Sequence, residues 1–251
     1  MTRLMLTDEL WPRLKVIMLQ HKIYDKPNLR IMVEGMLYRM RVGCPWRDLP
    51  AVFGPWNSLY KKFNRWSAGG KLLNIFKSLV QNPDLEWTFI DGSIIRAHQH
   101  STGAVKVKDE NQAIGKSRGG NTTKIHMAVD ACGLPIEFEL TGGEVHDCKA
   151  APEFIEKLPA SEYIIADKGY DNEKLREQIR EKSSIPIIPR KSNSTVGNAD
   201  IDWCLYKYRH LVENVFARLK HFRSIATRYD KLKRNYEAML ALACGYLWLP
   251  M

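Results

Sequence analysis

The feature that most constrains this chain is a change of period at Gln81–Glu86, "QNPDLE". Before it, apolar residues recur at threes and fours, the spacing that lets a helix bury one face. After it, short strand-like apolar runs alternate with helical stretches, the pattern of a sheet covered by helices. A chain of 251 residues has room for both, as one large domain or two small ones.

Four helices are expected upstream. "DELWPRLKVIMLQH" starts with Thr7 or Asp8 as its cap and has Pro12 in the first turn. "NLRIMVEGMLYRMRVG" has Asn28 as N-cap and Gly43 as its stop. The loop "CPWRDLPAVFGP" leads into "WNSLYKKFNRWSAGG" and then "LLNIFKSLVQN". In the third helix Leu59, Phe63 and Trp66 form the buried stripe, while Asn57, Tyr60, Lys61, Asn64 and Arg65 point elsewhere. That display fits a helix-turn-helix-like reader of DNA, and equally a small bundle with a solvated basic face. Trp11, Trp46, Trp56 and Trp66 read as core.

Downstream the order reads β, ββ, α, β, α, β, α. "WTFIDGSIIRAH" is a strand, and "TKIHMAVDACGLPIEFELTGGEV" is a hairpin turned by "DACG". "CKAAPEFIEKL", "EYIIADKGYD", "NEKLREQIREK" and "IPIIPR" continue the alternation, and Ser101 to Asn121 reads as a mobile loop. No Pro or Gly interrupts Trp203 to Ile225, which predicts one helix buried through Leu205, Val212, Val215, Phe216, Leu219 and Phe222. A last helix runs through "YEAMLALACGYLW".

Charge is segregated. The net charge is +10, and residues 1–80 carry 14 Lys and Arg against 5 Asp and Glu. Residues 190–234 carry 11 against 4, while 127–189 carry 7 against 13. Two basic regions around an acidic middle favour nucleic acid as the partner. The five cysteines are odd in number and form no CxxC pair, which argues against a disulfide framework or structural zinc. With no secretory leader and no apolar run near the ~20 residues of a membrane span, the expectation is a cytoplasmic protein that does not touch membranes.

Two apolar runs, "WTFI" and "EYIIA", each run into an acid followed closely by Gly: Asp91 and Asp167. Strand ends of an α/β sheet are where ligands bind. In the helix beginning at Trp203, Tyr206, Arg209, Glu213 and Lys220 fall within roughly 60° of one another at ~100° per residue. A solvated face with an i,i+4 ion pair is the plain reading of that line. Three carboxylates without His or Cys companions suit hard, oxygen-preferring cations such as Mg²⁺.

Taken together, "TFIDGSIIRAHQH", "SRGGNTTKIHMAVDACGLPIEF", "YIIADKGYD" and the Tyr206–Arg209–Glu213–Lys220 line resemble bacterial insertion-sequence transposases of the DDE class. The third acid of that class sits in the pattern Y-x2-R-x3-E-x6-K, matched here at all four positions. "CPWRDLPAVFGPWNSLYKKFNRW" resembles the N-terminal region of insertion-sequence family five, so the likeness spans nearly the whole chain. It implies an RNase H-like domain over 83–251, a mixed central sheet flanked by helices. An all-helical domain over 1–82 precedes it and reads transposon ends through Asn57, Lys61, Asn64 or Arg65. It implies that Asp91, Asp167 and Glu213 hold two Mg²⁺ (or Mn²⁺) ions for catalysis, with Tyr206, Arg209 and Lys220 on DNA phosphates. The implied partners are the terminal inverted repeats and target DNA, met by a homodimer or larger complex at the nucleoid. A metal-dependent nuclease that cuts without joining, and a non-catalytic DNA-binding descendant of a transposase, are the alternatives.

Other polar residues read as structural. Asp130 suits the hairpin turn, Asp147 in "GGEVHD" an ordinary helix cap, and His126 a packed side chain. His98 and His100 lack a third ligand for a transition metal. Gly169 and Tyr170 serve a strand-to-helix turn. With 46 positions between Asp167 and Glu213, a large insertion has no room, so a minimal catalytic core is expected.

Overall fold

The computed structural model describes residues 4–102 and 111–251. Two compact units emerge, one of residues 1–81, 97–112 and 219–251 and the other of 82–96 and 113–218.

The first unit opens with four helices: α1 (Leu10–Gln20), α2 (Leu29–Val42), α3 (Trp56–Ala68) and α4 (Lys71–Leu79). Thr7 helps start α1, its hydroxyl accepting the Leu10 N–H at 3.2 Å. Gly43 ends α2 in the left-handed region, φ +73°, where a side chain would be strained. Leu59, Phe63 and Trp66 of α3 are buried as their spacing requires, and the preceding loop folds its Leu49 and Phe53 into the same core. On α4 the buried positions are Leu72, Ile75, Phe76 and Leu79. Each such side chain contributes roughly 1.5–3 kcal/mol when fully buried.

In the second unit the strands are β1 (Trp87–Ala97), β2 (Gly115–Ser117), β3 (Gly120–Val129) and β4 (Pro135–Gly142). They are followed by α5 (Asp147–Lys157), β5 (Tyr163–Ala166), α6 (Glu173–Glu181) and β6 (Ile185–Ile187). β1 pairs antiparallel with β3 on one edge and parallel with β5 on the other. β3 pairs antiparallel with β4, and β5 parallel with β6. Three antiparallel strands continued by two parallel ones, with helices from the α5 and α6 crossovers, form a mixed sheet of the RNase H-like kind. Its centre is apolar: Phe89, Ile90, Met127, Ile164 and Ile165 are fully buried.

Two expectations are corrected. The stretch 101–121 is not loop throughout: β2 pairs with Gly120–Thr122 across a turn rich in Gly, tied by the Thr122 hydroxyl on Ser117 Oγ at 2.9 Å. Within that stretch, 103–110 lies outside the described residues. The helix expected over Trp203 to Ile225 is divided into α7 (Trp203–Tyr206), a 3₁₀ turn at Lys207–Arg209, α8 (His210–Lys220) and α9 (Arg223–Ala226). Right-handed dihedrals persist at Tyr206, Lys207 and His210, so the path tightens at the 3₁₀ turn without breaking there. At Phe222 it does break, into extended backbone. The expected apolar stripe from Leu205 to Phe222 is buried throughout.

The last helix, α10 (Lys233–Trp248), belongs to the first unit and packs on α4, where Leu242, Gly245 and Tyr246 share a cleft with Leu72, Ile75 and Leu79. No helix among the described residues is long and apolar enough to cross a membrane.

Candidate active site

The parallel register of β1 and β5 sets Trp87 against Tyr163, Thr88 against Ile164, Phe89 against Ile165 and Ile90 against Ala166. The next residues in that register are Asp91 and Asp167. Two acids 76 positions apart in sequence thus become neighbours where β5 ends. Of the two strands, only β5 stops at its acid. β1 runs on to Ala97 because β3 still pairs with it, from Gly92 against His126 to Arg96 against Thr122.

Both carboxylates are held by nearby backbone. Asp91 Oδ1 accepts the Gly92 N–H at 2.8 Å, and Asp167 Oδ1 accepts the Gly169 N–H at 2.8 Å. Burial lifts the Asp91 carboxyl above its ordinary value and Asp167 adds to the lift, against the Gly92 N–H and Arg209. Tyr170 lies fully buried behind them, and burial together with Asp147, Asp91 and Asp167 raises its phenol well above the usual range. The expected turn role of Gly169 and Tyr170 matches a 3₁₀ turn at Lys168–Tyr170.

Glu213 enters from the first turn of α8. Arg209, one turn earlier, donates from Nη1 to Asp91 Oδ2 at 3.1 Å and from Nη2 to Glu213 Oε1. Burial works against its charge, yet Asp91 and Glu213, with Tyr206 and Asp167 beyond, hold the guanidinium above its ordinary value. The i,i+4 pair seen in sequence is therefore half of a bridge to the first acid. Tyr206 is half-buried at the end of α7, its ring edge-on to Trp203 at 5.6 Å. Lys220 is exposed at the far end of α8, two turns beyond Glu213.

A second polar group lies on the other face of β1. Alternation turns Gly92 away from the Asp91 side chain and toward the face of its partner His126. A Cβ on Gly92 would meet Asp147 Oδ1 at 2.8 Å, so glycine lets this carboxylate cover the strand beside Asp91. Lys124 Nζ donates to Asp147 Oδ1 at 3.1 Å and to the Val145 carbonyl at 2.7 Å. Asp147 is thus an anchored carboxylate rather than a helix cap. The legible signal was a Lys and a His at i,i+2 on β3, whose run from Ile125 to Val129 is otherwise apolar.

His126 is packed, as expected, with Nε2 on Thr141 Oγ1 at 3.0 Å. Burial lowers its pKa from 6.5 to about 4, with Asp147 and Glu139 opposing the change and Lys124 reinforcing it. The folded imidazole stays neutral where the unfolded one binds a proton. Stability therefore falls as pH drops from 6.5 toward 4, by up to ~3 kcal/mol from this residue. Thermal melts across that window are expected to show a shallower acid decline for His126→Gln; superimposable declines would remove His126 as the cause.

The donors at the acids are all oxygen, which suits Mg²⁺ or Mn²⁺. Asp91 and Asp167 already adjoin, whereas Glu213 is drawn to Arg209. Accordingly, no three His, Cys, Asp or Glu side chains among the described residues are grouped tightly enough for one ion.

Residues 83–248 match the family described as "Transposase DDE domain", and residues 6–76 match "Putative transposase of IS4/5 family". The chain belongs to the DDE transposase family. It is 36% identical over 132 residues to a putative transposase for insertion sequence element IS6501 from Brucella ovis, covering 51% of this chain and 98% of that protein. Over 177 residues it is 27% identical to the transposase for IS1106 from Neisseria meningitidis serogroup B, covering 62% of each. Likeness to solved structures is weak: a piggyBac transposase synaptic complex with hairpin DNA matches at a TM-score of 0.37 and 12% identity, over 78% of this chain and 45% of that one.

In this transposase the helix expected to read DNA ends, α3, leaves Asn57, Lys61 and Arg65 exposed. Asn64 is half-buried, its carboxamide oxygen enclosed without a hydrogen-bond partner among the described residues.

Proposed function

We propose that this transposase binds the ends of an insertion sequence, hydrolyses a phosphodiester at each and joins the freed 3′-OH to target DNA. The observation that carries this reading is the β1–β5 register, with Arg209 linking the first acid of that pair to Glu213. Asp91, Asp167 and Glu213 would hold two Mg²⁺ or Mn²⁺ ions. When bound, such ions activate an attacking oxygen and stabilise a leaving one. In the first reaction the oxygen of water bonds to phosphorus and the 3′-oxygen leaves as a hydroxyl. In the second, that 3′-oxygen attacks a target phosphodiester and displaces the target's own 3′-oxygen.

The protein's residues divide the remaining work. Backbone N–H groups fix the Asp91 and Asp167 carboxylates, and Asp91 is half-buried. Arg209, whose fork matches a phosphate as well as a carboxylate, orients the strand beside the acids together with Tyr206 and Lys220. The helical region over 1–82 reads the end through Asn57, Lys61, Asn64 or Arg65. One site per end requires at least two chains on paired ends.

The test is joining of a pre-cleaved end duplex to a plasmid. Covalent product supports transposition, nicking alone indicates a nuclease on the same fold, and neither leaves a DNA-binding descendant. The two basic regions should also separate. Losing a phosphate contact weakens every duplex and reduces the salt slope by about one, whereas losing a base contact costs roughly 1–3 kcal/mol on the cognate end. Lys220→Ala is expected to weaken end and random DNA alike, and Asn57→Ala to narrow the gap between them. Affinities for both duplexes at several salt concentrations decide it; the reverse outcome would move the reading head out of α3.

A further inference from the structure

Five cations line one cleft in the helical unit: Lys22 from the turn after α1, Lys26, Lys62 and Arg65 of α3, and Lys71 at the start of α4. The cleft measures about 90 Å³, has Trp66 in its wall, and has no carboxylate among its lining residues. Asp25, the nearest acid in sequence, is turned to Lys15 at 2.8 Å. Two of the cations are held in place. Lys71 Nζ donates to the Lys22 carbonyl at 2.6 Å, fixing a turn in which Lys22 itself has φ +56°. Lys62 lies over the Trp66 ring at 5.9 Å. Partial burial pushes the Lys62 ammonium below its ordinary value, and Lys26, Arg65 and Lys71 push it further. α4 begins here without a side-chain cap on Gly70, so the positive end of its dipole adds to the same field.

Packing alone gives no reason to converge like charges. They repel one another in the folded state, and their convergence is offset only when an anion arrives. The open cleft has room for a phosphodiester group. We propose that this cleft seats a backbone phosphate of duplex DNA, fixing the duplex beside the exposed face of α3. The proposal rests on the reading of the chain as an end-binding transposase. It assigns Lys22, Lys26, Lys62 and Lys71 a positioning role that carries no sequence information.

The test uses the full chain with Lys26→Gln and Lys62→Gln combined. Affinity for an end duplex and a random duplex is expected to fall by the same factor, roughly tenfold at physiological salt. The slope of log affinity against log salt should lose one to two units. Melting temperature should hold or rise, because repulsion is relieved, and Lys62→Arg should keep the wild-type slope. If the double variant melts lower, Lys26→Gln alone decides, with an expected loss of about one unit of slope. Unchanged affinity and slope would overturn the cleft and leave the transposase reading intact, as would a loss confined to the end duplex. Failure of the unmodified protein to bind either duplex would overturn that reading and the cleft with it.

Discussion

Asp167→Ala is expected to abolish cleavage of transposon ends, by roughly 10³-fold or more, the scale on which a preorganised group that stabilises transition-state charge is felt. End binding should stay within about twofold. The residue stands at the end of β5, next in register to Asp91, with its carboxylate fixed by the Gly169 N–H at 2.8 Å. Its charge also helps lift the Asp91 carboxyl above the ordinary range. Removing it relieves that repulsion, so the variant should melt at or above the wild-type temperature in chelator. Gel assays of a labelled end duplex with Mg²⁺, run beside a binding assay, give both readings. Normal cleavage by this variant would sink the assignment of the three acids.

Arg209→Lys should lose cleavage by roughly 10²-fold despite keeping its charge, and should respond to chelator in the opposite sense. The guanidinium reaches Asp91 with one nitrogen and Glu213 with the other. A lysine has one nitrogen and cannot reproduce the fork. Asp91, already disfavoured as a charge by burial, would lose part of its compensation. This variant should therefore melt below wild type without metal, where Asp167→Ala does not. Were Arg209→Lys to cut and melt like the unmodified protein, the bridge would be a surface ion pair only.

The three candidate acids stood out because each follows an apolar run of its own strand or a helical line with a fixed spacing. What local pattern could not supply was register. That Asp91 and Asp167 adjoin depends on pairing between strands 76 positions apart, and β1 continues past its acid because of a partner on its other edge. The same limit hid Asp147, which looks like an ordinary helix-start acid until Lys124 and the bare backbone of Gly92 are brought against it. The apolar stripe from Leu205 to Phe222 was readable because periodicity reports burial directly, whereas the 3₁₀ turn at Lys207–Arg209 leaves that stripe intact and so leaves no trace in it. Likewise β2 was lost in a polar stretch whose pairing is made by backbone.

The placement of α10 has a consequence for how the molecule is made. The helix that covers α4 begins 154 positions after α4 ends, so the helical unit is interrupted by the whole sheet and closed only by residues made after it. Synthesis delivers the sheet strands in full before the helical unit has its final layer. A fragment cut at residue 82 keeps α1 to α4 but uncovers Leu72, Ile75 and Leu79, an apolar strip prone to self-association. Premature termination anywhere before Lys233 leaves that strip without its α10 cover. A chain interrupted there is expected to aggregate, which sedimentation of a fragment ending before Lys233 would check.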